Sequence, residues 1–137
     1  MNESKIVLEV AEQEFGRFTD LMDLDVDTSV MDEDDLKGFE SQKRVLILAI
    51  QKGSLVINDN GEPVFTPQRA EGDVNPLTFH EHTGASLMAM DRKKKTEDVG
   101  KLYSIMGDMT KTNANLFAKM KGGDLKVCTA IVTLYLG

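Results

Sequence analysis

The sequence predicts a mainly helical α+β fold: a single domain with one β-hairpin and a small sheet. Three observations support this prediction: an apolar run close to the C-terminus, helical periodicity in several other segments, and an Asn60-Gly61 pair between two short apolar runs. A chain of 137 residues suits one domain that buries roughly two-thirds of its unfolded surface. We divide it into a helix-and-hairpin portion, residues 1–76, and a helical portion, residues 77–137.

The apolar run from Asp124 to Leu136 predicts the central helix. Lys126 is the only charged residue after Asp124, which we expect to be the N-cap. The apolar residues form two adjacent stripes: Leu125, Cys128, Val132 and Tyr135 in one, and Val127, Ile131 and Leu134 in the other. Such a helix is normally buried on several sides and is too short to span a bilayer. Its β-branched content leaves a buried strand as the alternative.

Two helices are predicted before the hairpin. Phe15, Phe18 and Met22 recur at helical spacing, although Gly16 interrupts them. A second helix begins after Asp32, with an acidic first turn, and ends before Gly53.

The acidic stretch 20–35 joins these helices, and we expect it to be a solvated loop. Asp23, Asp25 and Asp27 have the spacing of a calcium-binding loop, but Thr28 stands where such a loop needs Gly. Calcium binding and mimicry of nucleic-acid charge remain alternatives.

The hairpin is the clearest local signal. Asn60-Gly61 predicts a type I′ turn between strands at Leu55–Ile57 and Val64–Phe65. Pro63 cannot donate to a neighbouring strand, so its strand should lie at an edge or start late. Residues 67–76, bounded by prolines, predict a loop.

Short helices follow in the second half. Leu77–Phe79 predicts an extended lead-in, and Thr83 or Ser86 should cap the helix that follows. The remaining predicted boundaries are a break at Arg92–Lys95, a cap at Thr96, a helix end at Gly107, a cap at Asn113 and a helix end at Gly122.

Little in the sequence favours catalysis. His80 and His82 are the only histidines, and no Gly-rich phosphate loop or nucleophile–base set is recognisable. A metal site would need carboxylates supplied by the fold, so we expect two solvated histidines and no cofactor. Cys128 should be a small buried hydrophobe. The net charge of −7 disfavours nucleic acid and anionic membranes as partners, and we expect no signal peptide and no enzyme.

Methionine is the unusual feature. Four of the eight methionines fall within 22 residues, on two neighbouring predicted helices. Met-rich surfaces suit partners of variable sequence, although the filling of the core would also explain these four methionines. The candidate partner-binding groove comprises Leu87, Met88, Met90, Leu102, Met106 and Met109.

The stretch Leu77–Asp91 resembles the short signature of tail assembly chaperones of long-tailed bacteriophages. In that family an extended Leu-x-x-Arg-Glu-Pro-Thr lead-in precedes a helix and an Asp; here His80 stands in the place of Arg and His82 in the place of Pro. The likeness continues through a charged helix, a break near Met106-Gly107, a short helix and an apolar terminal helix, and covers residues 77–136.

This resemblance implies a non-enzymatic protein of the infected host cytoplasm. It would bind the tape-measure protein, recruit tail-tube subunits and leave before the virion is complete; self-association is left open. Two alternatives are a permanent virion subunit of the tail or head–tail connector and an acidic inhibitor that occupies a nucleic-acid site.

Overall fold

The computed structural model describes residues 6–24, 26–69, 75–91 and 98–136, which form a mainly helical α+β domain. The helices and strands of these ranges are α1 (Leu8–Leu21), a 3-10 helix (Thr28–Val30), α2 (Glu33–Lys52), β1 (Leu55–Ile57), β2 (Pro63–Phe65), β3 (Leu77–Thr78), α3 (Gly84–Asp91), α4 (Asp98–Thr110), α5 (Ala114–Ala118) and α6 (Gly122–Leu136). The predicted fold class is confirmed.

Helix α6 is the centre of the hydrophobic core, packed mainly against α2 and also against α4. Cys128, Ile131 and Val132 have no exposed surface. The prediction of a helix rather than a buried strand is confirmed. The predicted N-cap is wrong, because α6 begins at Gly122 and Asp124 lies inside its first turn.

Helices α1 and α2 pack against each other and contribute core residues such as Phe18, Leu46 and Ile50, beside Leu55, Ile57 and Phe65 of the strands. Gly16 lies within α1 without ending it. The predicted ends of α2 are confirmed: the Asp32 side chain accepts a hydrogen bond of 2.8 Å from the Asp35 N–H, and Gly53 has a left-handed φ of 83°. That φ favours glycine directly after a helix.

The sheet is antiparallel, with strand order β1-β2-β3. The hairpin is confirmed, but its turn is not type I′, because Asn60 does not have the positive φ that this turn requires. The Gly61 N–H donates to the Asn58 carbonyl at 3.0 Å, and Gly61 alone has a left-handed φ, of 85°. This is a three-residue loop, stabilised by the Asn58 carboxamide oxygen, which accepts from the N–H groups of Asn60 and Glu62.

Pro63 is the first residue of β2, which is the central strand and not an edge strand. A proline is tolerated there because a first residue can lack a donor without breaking the ladder, and the Pro63 carbonyl still accepts from the Phe79 N–H at 2.9 Å.

Of the boundaries predicted at Gly107, Asn113 and Gly122, two are wrong and one is confirmed. Helix α4 continues beyond Gly107 to Thr110, and Gly122 begins a helix instead of ending one. A Cβ atom at Gly107 would lie 3.0 Å from the Ala114 nitrogen, so glycine allows the link between α4 and α5 to pack closely. Asn113 caps α5 as predicted. The predicted Arg92–Lys95 break and the Thr96 cap lie outside the described residues, as does the middle of the 67–76 loop.

Candidate partner-binding surface

Helix α3 follows β3 and carries the first part of the predicted partner-binding set. Thr83 precedes it as a cap: the Thr83 N–H donates to the Ser86 hydroxyl at 3.1 Å, and the Thr83 carbonyl accepts from the Leu87 N–H at 3.2 Å. The buried Ser86 hydroxyl also donates to the Asp108 carboxylate of α4. These contacts fix the start of α3 against α4.

The exposed side of α3 is apolar. The sequence of α3 carries no charge before Asp91, and α4 is the main neighbour of α3 among the described elements. Leu87 is 39% exposed and Met88 is 62% exposed. The two adjacent side chains present apolar surface to solvent on a helix that is anchored from its other side.

The four-methionine groove predicted between these two helices is not what the structure shows. Met106 and Met109 are 0% and 1% exposed and belong to the core, while Leu102 is half-buried. The side chain of Met90 lies outside the described part of the protein. Methionine is flexible enough to fill irregular gaps, and here it does so in a core without tryptophan. Among the members of the predicted set whose side chains are described, Leu87 and Met88 are therefore the two exposed ones.

The lead-in to α3 is held by polar contacts from three other parts of the fold. The His80 N–H donates to the Met109 carbonyl of α4 at 3.0 Å, and the His80 ring nitrogen Nδ1 lies 2.8 Å from the Glu62 carboxylate of the hairpin loop. The Tyr135 hydroxyl of α6 donates to the Phe79 carbonyl at 2.8 Å. Burial raises the pKa of Tyr135, so this hydroxyl stays a donor.

The sequence predicts two solvated histidines, but in the structure both rings make contacts with other side chains. His80 is paired with Glu62, and the His82 ring packs edge-on against Tyr135 at 6.5 Å between centroids. The His82 Nδ1 atom is buried and has no hydrogen-bond partner among the described atoms. Burial raises the pKa of Glu62, but hydrogen bonds from Asn58 and His80 lower it by more, so the net shift is downward.

Residues 6–24, 26–69, 75–91 and 98–136 contain no group of three or more His, Cys, Asp or Glu placed to hold a metal ion. Asp27, from the calcium-like spacing, accepts from the Ser29 N–H and caps the 3-10 helix, while Asp25 lies outside these ranges. Cys128 is buried as predicted, and burial raises the pKa of its thiol.

A second surface, the α2–α6 groove, was not predicted from the sequence. It encloses about 360 Å³ and is lined by Ser41, Gln42 and Val45 of α2 and by Gly122, Leu125, Lys126 and Thr129 of α6. Sequence reasoning missed it because the two helices are far apart in the chain. The one available signal was Lys126, a cation in an otherwise uncharged run.

None of the described helices combines the length and the apolar character needed to cross a membrane. Comparisons of the chain with models of protein families, with curated proteins and with solved structures found no match.

Proposed function

We propose that this protein is a non-enzymatic tail assembly chaperone of a long-tailed bacteriophage, acting in the host cytoplasm. It binds apolar helical segments of the tape-measure protein and keeps them soluble while tail-tube subunits assemble. The observation that carries the proposal is the exposed apolar pair Leu87 and Met88 on α3, a helix without charge before Asp91.

The place of this pair in the chain supports the proposal. The stretch that resembles the chaperone signature, Leu77–Asp91, forms β3, the lead-in to α3 and α3 itself. It therefore contains the exposed pair. The contacts of Ser86 with Asp108 and of His80 with Met109 hold this stretch against α4. A helix anchored in this way offers a preorganised surface, which lowers the entropic cost of binding.

The chemistry of the pair suits a chaperone that must release its partner. Leucine and methionine bind by burial and packing, and the flexible methionine adapts to different neighbouring side chains. Two exposed side chains offer a small contact area, far below that of a permanent interface. Binding would therefore be reversible and tolerant of sequence.

The test is co-expression with the tape-measure protein encoded by the same genome. We expect Leu87→Glu with Met88→Glu to lower the soluble fraction of the tape-measure protein, because two carboxylates would have to be desolvated in the contact. The matched control is Val30→Glu with Leu48→Glu, which adds the same charge at apolar positions that are 75% and 47% exposed outside α3.

Equal solubility with both double variants would contradict the assignment of this surface. Binding of a purified tape-measure segment should also vary little with salt and show a negative heat-capacity change. Mass spectrometry of mature particles addresses the role itself: a chaperone is absent from them, whereas a stoichiometric presence would identify a structural subunit instead.

A further inference from the structure

Two surfaces of this protein are complementary to each other and cannot meet within one molecule. One is the α2–α6 groove, and the other is the first turn of α1 together with the residue before it, which we call the α1 start, residues 7–10. Neither surface takes part in the function proposed above.

The α2–α6 groove combines two apolar side chains with uncharged polar ones and a single cation. Half-buried Val45 and Leu125 face it from the two helices, and Lys126 is its only charged lining residue. Lys126 forms no ion pair with any residue in the described ranges. A cavity of about 150 Å³ holds a benzene molecule, so about 360 Å³ accommodates on the order of two or three aliphatic side chains.

The α1 start has the matching composition. Val7, Leu8 and Val10 are 64%, 55% and 42% exposed, which is unusual for three apolar residues within one helical turn. Glu9 lies among them, is exposed, and has no ion-pair partner in the described part of the chain. Val7 is the N-cap of α1, with an extended backbone, and Leu8 and Val10 lie in the first turn after it.

The α1 start cannot reach the groove of its own chain. The Ile6 N–H donates to the Gln51 carbonyl, which places the α1 start beside the C-terminal end of α2. The groove lies beside Ser41 and Val45, so the two sites are separated by roughly 10–15 Å along the axis of α2. A contact between them needs two molecules.

We infer that the α1 start of one copy docks into the α2–α6 groove of a second copy, with Glu9 paired to the Lys126 of that copy. Val7 and Val10 fill the apolar part of the groove. The contact joins two different surfaces, so a complex of two copies keeps one free α1 start and one free groove, and the association proceeds head to tail.

The experiment measures the mass of the full chain by sedimentation equilibrium over a wide range of concentration. The parent protein should grow in mass with concentration. Glu9→Lys or Lys126→Glu alone should weaken self-association about tenfold, since each replaces an attraction by a repulsion. The double variant Glu9→Lys with Lys126→Glu should restore it, because the pair is reversed.

A mixing experiment tests the head-to-tail arrangement. Val7→Glu with Val10→Glu disables the α1 start, and Ser41→Glu with Lys126→Glu disables the groove, because two carboxylates then line it. An equal mixture of these two variants should form complexes of two chains and nothing larger, because one intact pair of surfaces remains.

Three results would overturn the inference: a parent protein that stays a single chain at all concentrations, a charge reversal that fails to restore association, or a mixture that grows beyond two chains. If Lys126→Glu leaves the mass unchanged but lowers the solubility of a co-expressed tape-measure protein, the groove holds that partner and not a second copy.

Discussion

The carboxylate of Asp124 holds the loop that follows β2 against the start of α6. Its two oxygens accept hydrogen bonds from the Gln68 and Arg69 N–H groups, both at 2.9 Å, and the residue is 3% exposed. The negative charge also lies in the first turn of α6, where the helix dipole favours it. One residue therefore satisfies two backbone donors and joins two distant segments.

We expect Asp124→Asn to lower the free energy of unfolding by about 1–3 kcal/mol, because the carboxamide can accept from one of the two N–H groups but presents a donor to the other. Asp35→Asn is the matched control. Asp35 is likewise the third residue of its helix, α2, and is exposed, so this variant loses the same charge without a buried hydrogen bond. Urea denaturation of both variants gives the difference, and equal losses would show that the buried hydrogen bonds contribute nothing.

At the scale of the element, α6 determines whether the protein folds at all. It supplies seven buried residues, and Ile131 and Val132 at its middle have no exposed surface. The ring of Phe18 in α1 packs edge-on against the ring of Tyr135 at 5.4 Å between centroids. The last described helix, α6, therefore also contacts the first one. A helix with neighbours on several sides cannot be displaced without opening the core.

We expect Ile131→Asp to abolish the cooperative unfolding transition. Burying an unpaired carboxylate costs several kcal/mol, which is comparable with the whole stability of a domain of this size. Thr133→Asp places the same residue on the exposed side of α6 and should leave the transition intact. Thermal melts followed by circular dichroism distinguish the two, and a parent-like melt of the Ile131 variant would place α6 outside the core.

At the scale of the whole molecule, the contact between Glu62 and His80 joins the hairpin loop to the lead-in of α3. Because the pKa of Glu62 is held below its usual range, the ionised form contributes to stability above the normal carboxyl pKa. That contribution is lost progressively as the pH falls from the normal carboxyl pKa through the lowered pKa of Glu62 in the folded protein.

We therefore expect the Tm to fall on acidification below the normal carboxyl pKa, and to fall less steeply in Glu62→Gln. Glu40→Gln, at an exposed position of α2, should keep the pH dependence of the parent. Melts at a series of pH values test this expectation, and identical slopes for parent and Glu62→Gln would contradict it.

For the candidate partner-binding residues, the sequence predicted the helices that carry them but not which side chains are exposed. The helix that carries Leu87 and Met88 was predicted from a cap at Thr83 or Ser86, which is a local signal, and Thr83 is the cap. Met106 and Met109 were placed on the same surface, but they are buried. Composition and spacing indicate which residues share one side of a helix, but they do not determine whether that side meets solvent or another helix.

The sequence by itself determined the helical class, the hairpin, the ends of α2 and the burial of Cys128. Caps, periodicity and charge act over a few residues and can therefore be recognised in the chain. Only the tertiary structure decided the passage of α4 through Gly107, the buried role of Asp124 and the groove between α2 and α6. Each of these depends on a hydrogen bond or a packing contact from a different element. Such contacts form only once the helices and the sheet have been brought together.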